Sequence, residues 1–372
     1  MIRRVDKLAG AGLLLLLESY AVPVARLDAQ AIYWPGTGLG AVLVGLGAIA
    51  AVWATLRQPA GWASGLVLAA AVALASLGPL ALLGKTYRLG LAAPGLWLAL
   101  GGLACLAWRV LETLARLPAG RITGLVVPGL FGVFVLFLWE MVVRGFDIPR
   151  VLLPSPSQIG HVMVAGADTL AQDFRQTFLK SVLAGFVLGS GSGFAAAVLI
   201  DRSPFLQRGL LPLGALVGAI PIVGIAPIMV MWFGFDWQSK AAVIVIMTFF
   251  PMLVNTLAGL HAAGSIERDL MRSYAAGYGD TLVKLRLPNA LPFVFNALKI
   301  NSTLALIGAI VAEFFGTPIV GMGFRISTEV GRMNIDMVWA TIAVAAVAGS
   351  MFYGALALVE RGLTFWHPSV RA

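Results

Sequence analysis

Groups able to make or break bonds are few in this sequence and stand far apart. Its three histidines are His161, His261 and His367, and its one cysteine, Cys105, lies in an apolar run. Neither a metal site of clustered His and Cys ligands nor a histidine-activated nucleophile has its parts in place. The stretch GPLALLGKT at 78–86 ends like a phosphate-binding loop. That loop needs four residues between its glycines so that successive N–H groups curl around phosphate, and here there are five. It reads as no nucleotide site, and no cofactor motif replaces it, so any ATP must be used by a partner. What remains is polarity set inside apolar stretches: Glu140, Glu313, the cluster Asn301, Ser302 and Thr303, and the prolines Pro212, Pro221 and Pro227. An ionisable group in lipid is costly and so marks a candidate solute path. Proline removes a backbone donor, and irregular backbone at membrane depth is tolerated where it is buried in protein or lines a watery cavity. Glu140 and Glu313 are expected near the outer ends of their helices, within reach of water. The polar cluster at 301–303 is expected to bond a neighbouring helix or a substrate.

Lipid is the medium that composition demands. Of 372 residues 59% are hydrophobic and only 12% charged, more apolar surface than a soluble chain of this length could cover. The chain is read as an all-α, multi-pass membrane protein. A formal charge of +9 does not point to nucleic acid, because Lys and Arg are scattered among the joints between apolar runs, where they orient spans and meet anionic lipid.

A hydrocarbon core of about 30 Å takes roughly 20 apolar residues of helix. That window predicts ten spans, near 8–25, 38–56, 62–84, 89–108, 123–143, 178–200, 209–233, 241–260, 296–316 and 337–358. The first has a basic start, but Glu18 interrupts it and no clean cleavage site follows, so it is read as an uncleaved helix. With both termini cytoplasmic, 16 of the 26 Lys and Arg fall on inside joints, which fixes the expected orientation. Connections are tight through the first four spans and lengthen after about residue 120. The basic stretch RVLETLARLPAGR at 109–121 divides an N-terminal four-span extension, 1–115, from a six-span core, 120–372. In the sixth span Gly185, Gly189 and Gly193 share one helical face, a packing surface in the first instance.

One polar segment is too long for a plain joint: DLMRSYAAGYGDTLVKLRLPNALP at 269–292, within an inside region of 262–292. Ile266, Leu270 and Tyr274 fall at i, i+4 and i+8, one face of a short helix; Gly277 and Gly279 are expected to break it, and Leu282 and Leu285 to start a second piece. Leu287-Pro288 and Leu291-Pro292 close the stretch. Two short amphipathic helices on the cytoplasmic surface would form a knob for another protein to grip.

These residues resemble the inner-membrane permeases of binding-protein-dependent ABC importers, in the branch that handles nitrate, sulfonates, taurine and pyrimidine-type vitamin precursors. The family signature is E-A-A, three residues, Gly, nine residues, then I-x-L-P. Asp269-Leu270-Met271 stand at the E-A-A, Ala275 at the glycine, Leu285 at the isoleucine and Leu287-Pro288 at the end. Spacing agrees throughout; the glycine is replaced by Ala275, and Gly277 or Gly279 is expected to supply the bend. LLPSPSQI at 152–159, AIPIVGIAPIMVMWFG at 219–234 and TLALIGAIVAEFFG at 303–316 are similar to further family stretches in the same order. The resemblance covers about 120–372. It implies a transport subunit without its own ATPase, facing a second permease chain in a homodimer, fed by an extracytoplasmic solute-binding protein and driven by a pair of ATPase subunits. Asp269, Arg272, Ser273, Ala275, Gly277, Gly279, Leu285, Leu287 and Pro288 would couple to the ATPase, and Pro221, Pro227, Asn301, Ser302, Glu313 and Glu140 would line the path. The wording is nearest to permeases for riboflavin or hydroxymethylpyrimidine-like solutes, with sulfonate or nitrate next. A ten-span secondary transporter is the alternative, though it would normally show matching broken helices in two halves. A channel or a purely structural membrane protein suits the long cytoplasmic segment less.

Overall fold

The computed structural model describes residues 6–366 except 28–29, 58–60, 84–86, 88, 119–122, 204, 210–211, 213–219 and 317–318. Lys85 and Thr86 of the loop-like stretch, Arg121, His367 and much of 209–221 therefore lie outside the described residues. Among the described residues eight helices are long and apolar enough to cross a membrane, with one shorter apolar helix, Ile222–Phe233. Backbone contacts divide the chain into two compact units, Met1–Gln158 and Ile159–Ala372.

The first unit holds α1 (Lys7–Ala21), α2 (Leu39–Arg57), α3 (Trp62–Leu83), α4 (Pro94–Ala115) and α5 (Thr123–Gly145). A small antiparallel hairpin, β1 (Ala25–Leu27) and β2 (Gln30–Ile32), follows α1. Asp6 starts α1 by accepting the N–H groups of Leu8 and Ala9, both at 3.1 Å, and pairs with Arg109 of α4. Small residues then let the two helices touch: a Cβ at Gly102 would stand 2.9 Å from the Gly12 carbonyl. Buried Trp34 donates from Nε1 to Ser19 Oγ at 3.0 Å, which ties the segment after the hairpin back to α1. At 15 residues, about 22 Å, α1 is shorter than the expected first span.

The second unit contains α7 (Ala167–Ile200), α8 (Ile222–Phe233), α9 (Trp237–His261), α10 (Ser265–Ser273), α11 (Tyr278–Glu313), α12 (Met322–Gly331) and α13 (Ile335–Leu363); α6 (Pro156–Ala165) precedes α7. At its centre α9 lies between α7 and α11. A Cβ at Gly185 would meet Ile244 Cβ at 2.6 Å, one at Gly189 the Cα of Val245 at 2.9 Å, and one at Gly193 the Phe249 carbonyl at 2.4 Å. The glycine stripe of α7 is thus its contact face with α9. On the other side Gly308 of α11 faces Met247, and Gly259 of α9 faces Ala290. Phe178 and Phe186 of α7 both meet Phe352 of α13 edge-on, at centroid distances of 5.5 and 4.8 Å.

Two helices begin earlier than the apolar windows suggest. α7 starts at Ala167 rather than near 178 because the polar run before the span continues as helix through a π-helical stretch, Arg175–Val182. α11 starts at Tyr278 rather than near 296, and Pro288 does not end it. A second π-helical stretch, Leu282–Arg286, widens the turn before the proline, where its missing N–H and its ring would otherwise disrupt the ladder. The expected separate second piece is therefore the leading end of the ninth span.

Candidate functional site

The segment between α9 and α11 starts from a capped helix. The Glu267 carboxylate accepts the Gly264 N–H at 2.7 Å, and α10 runs nine residues to Ser273, whose hydroxyl donates back to the Leu270 carbonyl at 2.8 Å. None of those nine residues is buried. The apolar stripe read from the spacing is present and faces outward, with Ile266 84% and Tyr274 78% exposed and Leu270 beside them. Asp269 and Arg272 form a 3.1 Å pair on the same open surface, too exposed to add much stability.

The bend that ends α10 sits at Ala275. Its N–H donates to the Arg272 carbonyl at 2.9 Å, the Ala276 N–H donates to the Met271 carbonyl at 3.0 Å, and Ala275 takes φ 51°. This is the six-to-one closure with a left-handed residue at its centre, the backbone position that favours glycine. The expectation that Gly277 or Gly279 supplies the bend is corrected: Gly277 has φ −69° and Gly279 is not left-handed. The left-handed turn belongs to the signature position itself, and alanine occupies it at a cost. Leu285, Leu287 and Pro288 lie half-buried along the leading end of α11.

At the other end of the same helices is a buried polar network. Glu313, expected to reach water, is buried instead: its carboxylate accepts from Thr177 Oγ at 2.8 Å and from the Gly323 N–H at 2.7 Å. Thr177 Oγ in turn accepts the Met322 N–H at 2.7 Å. Asp173 accepts the Gly321 N–H and the Arg325 Nε–H, each at 2.8 Å. Lys240 of α9, also buried, donates from Nζ to the carbonyls of Phe235, at 2.6 Å, and Gly316. Buried polar groups are costly unless bonded, and here the bonds tie the backbone entering α12 to α7 and α11 and pin Gly316 to α9. Gly321, at φ 143°, and Gly323, where a Cβ would lie 2.2 Å from the Ile310 carbonyl, leave no room for side chains. Outside the spans, the hydrogen bond that Arg325 donates to the Asp173 carboxylate raises its guanidinium above its ordinary range, so it stays charged. The Asp236 carboxyl is held below its usual range, chiefly by the Gln176 amide at 2.8 Å.

The remaining expected path residues are dispersed. Asn301 is fully buried and donates to Ser190 Oγ of α7 at 2.9 Å and to the Thr248 carbonyl of α9 at 2.8 Å, a link between helices. Ser302 and Thr303 donate back to their own helix, at Lys299 and Ile300. Pro221 caps α8 and Pro227 lies within it. In the first unit Glu140 is buried too, accepting the Ser157 N–H at 2.9 Å and its hydroxyl at 2.7 Å, with Arg144 at 3.2 Å. It lies at the rim of an apolar hollow of about 600 Å³ between α3, α4 and α5. No group of three or more His, Cys, Asp or Glu among the described residues could hold a metal ion.

The second unit, with its exposed helix on a turn between two spans, also carries the sequence pattern of a known family. Residues 182–365 match the binding-protein-dependent transport system inner membrane component. A probable ABC transporter permease of Haemophilus influenzae is 31% identical over 210 residues, 56% of this chain and 85% of the relative. The chain belongs to this permease family. A formylaminopyrimidine transport permease of Halalkalibacterium halodurans is 31% identical over 243 residues, covering 64% of this permease and 95% of the relative. A riboflavin transport system permease of Chloroflexus aurantiacus is 30% identical over 239 residues, covering 63% and 88%. The permease is thus a multi-pass inner-membrane transport component.

Reading by hydropathy missed Asp173, Thr177, Lys240, Arg325, Asp201 and Arg286. A signal for the first two was present: Asp173, Thr177 and Ser181 recur at i, i+4 and i+8, and all three are buried on one face of α7. Lys240 sat one residue before the expected eighth span and looked like a boundary charge.

Proposed function

We propose that this permease moves a small solute inward across the inner membrane, using ATP hydrolysed by a pair of partner subunits that grip α10. The observation that carries this reading is the outward-facing apolar stripe of Ile266, Leu270 and Tyr274, flanked by Asp269 and Arg272, on a helix that buries nothing of its own. An exposed apolar patch framed by charges is the mark of a protein-binding surface. Ser273, the Ala275 turn, Gly277, Gly279 and the Leu285 to Pro288 positions complete the coupling segment 262–292. The resemblance further supports a second copy of the chain as partner, an extracytoplasmic solute-binding protein and a permease core from about residue 120, and the distribution of Lys and Arg over the joints supports cytoplasmic termini. The four-span extension, 1–115, would add lipid contact, stabilise the dimer or serve as a fused regulatory piece, and nothing in its composition chooses among these roles.

For the solute, relatives named for formylaminopyrimidine and riboflavin support a pyrimidine-type or vitamin compound, such as hydroxymethylpyrimidine or riboflavin, ahead of sulfonate or nitrate. Pro221, Pro227, Asn301, Ser302, Glu313 and Glu140 are proposed as path residues, with the buried bonding of Asn301 and both glutamates favouring a structural share in that role. The test is co-purification with the ATPase and uptake of radiolabelled riboflavin and hydroxymethylpyrimidine into vesicles. Vanadate-sensitive uptake that Arg272→Glu abolishes, with the permease still in the membrane, is the expected result. Uptake driven by an ion gradient alone, without an ATPase, would overturn it in favour of secondary transport.

A further inference from the structure

The first part of the coupling segment, 264–280, is mostly exposed, so something must fix it to the membrane helices if a push on α10 is to reach them. No residue of α10, nor of Tyr278–Thr281 that begins α11, is buried. Three residues, 262–264, join α9 to α10, and Ala263 is the one buried among them. A chain held only at its two ends would flex under load.

We propose that Asp201, just beyond the end of α7, is the positioning residue that locks this segment to the transport helices and carries the ATPase stroke into them. Its side chain is fully buried. Arg286 grips it with both terminal nitrogens, Nη1 to Oδ2 at 2.6 Å and Nη2 to Oδ1 at 2.7 Å. The Tyr278 hydroxyl donates to Oδ2 at 2.8 Å, and His261 Nε2 lies 3.1 Å from Oδ1. Arg286 also donates from Nε to the Leu260 carbonyl at 2.9 Å, one of the carbonyls that the last turn of α9 leaves without a helical partner. Arg202 stacks over the Tyr278 ring at 4.6 Å from its centroid, and Gln207 donates to the Asp201 carbonyl at 3.0 Å.

One carboxylate therefore joins the ends of α7 and α9 to the leading turns of α11. A bidentate, buried guanidinium–carboxylate pair is directional as well as strong, so the three elements move as one body. The π-helical stretch Leu282–Arg286 contributes directly, because Arg286 is its last residue. This inference rests on the coupling reading above; it adds where the motion enters the bundle.

The experiment uses the full permease with its ATPase, with Cys105→Ser and a bimane-labelled Gln238→Cys. Gln238 is exposed at the opposite end of α9 from His261, about 35 Å away along the helix. ATP with vanadate should shift the label in the parent. Asp201→Asn, which keeps the shape and removes the charge, should still bring down the ATPase and allow hydrolysis while the shift falls at least fivefold. Tyr278→Phe should lower it less, and Asp201→Glu should restore part of it. An unchanged shift in Asp201→Asn would overturn the proposal. So would loss of the ATPase from that variant, since Asp201 would then shape the docking surface rather than transmit through it. A parent that never brings down an ATPase refutes the coupling reading itself, and the inference with it.

Discussion

Ala275→Gly should stabilise the turn that ends α10. Ala275 holds φ 51°, where a Cβ crowds the following carbonyl and costs about 1–2 kcal/mol. Glycine removes that cost but brings back about 0.4–1 kcal/mol of freedom in the open chain. The difference is a net gain of about 0 to 1.6 kcal/mol, and its midpoint, about 0.8 kcal/mol, corresponds to about fourfold in a local opening equilibrium. The amides that report it are those of residues 275 and 276, which close the turn on Arg272 and Met271 at 2.9 and 3.0 Å. Hydrogen exchange of the reconstituted permease, followed on peptides covering 271–277, should slow two- to fivefold at these amides. It should leave those of α13 unchanged. Ala275→Val should act the other way, because a β-branched residue in the left-handed region is a true outlier. Equal or faster exchange in the glycine variant would refute the assignment of strain to this residue, and with it the reason offered for the family's glycine.

Two further perturbations probe the bundle. Gly189→Val places side-chain atoms where a Cβ alone would lie 2.9 Å from the Val245 backbone, so α7 and α9 must part; a loss of about 1–3 kcal/mol and a lower melting temperature in detergent are expected, and a wild-type melt would contradict the packing role. Asp173→Ala strands the Gly321 N–H and leaves Arg325 only Glu329, at 3.7 Å, so it should cost about 1–3 kcal/mol, whereas the double variant with Arg325→Met should cost less than the sum of the two single changes; strict additivity in thermal melts would show that the pair is not coupled.

Composition alone determined that the chain lives in lipid, since its hydrophobic fraction leaves no soluble alternative, and most spans follow from windows of about 20 apolar residues. The spacing of Ile266, Leu270 and Tyr274, together with Leu287-Pro288, was enough to read a surface helix of the permease family. Hydropathy could not show where α7 and α11 begin, because a helix continues through polar residues when their side chains find partners, and those partners are distant in sequence. Asp201 meets Arg286 across 85 positions and Thr177 meets Glu313 across 136. Only the tertiary structure could turn two glutamates expected at the water's edge into buried acceptors. The same holds for Ala275: its place in the signature was legible from spacing, but the left-handed backbone that makes glycine the better residue there is set by how α10 closes. That is a property of dihedral angles and hydrogen bonds, which residue letters do not carry.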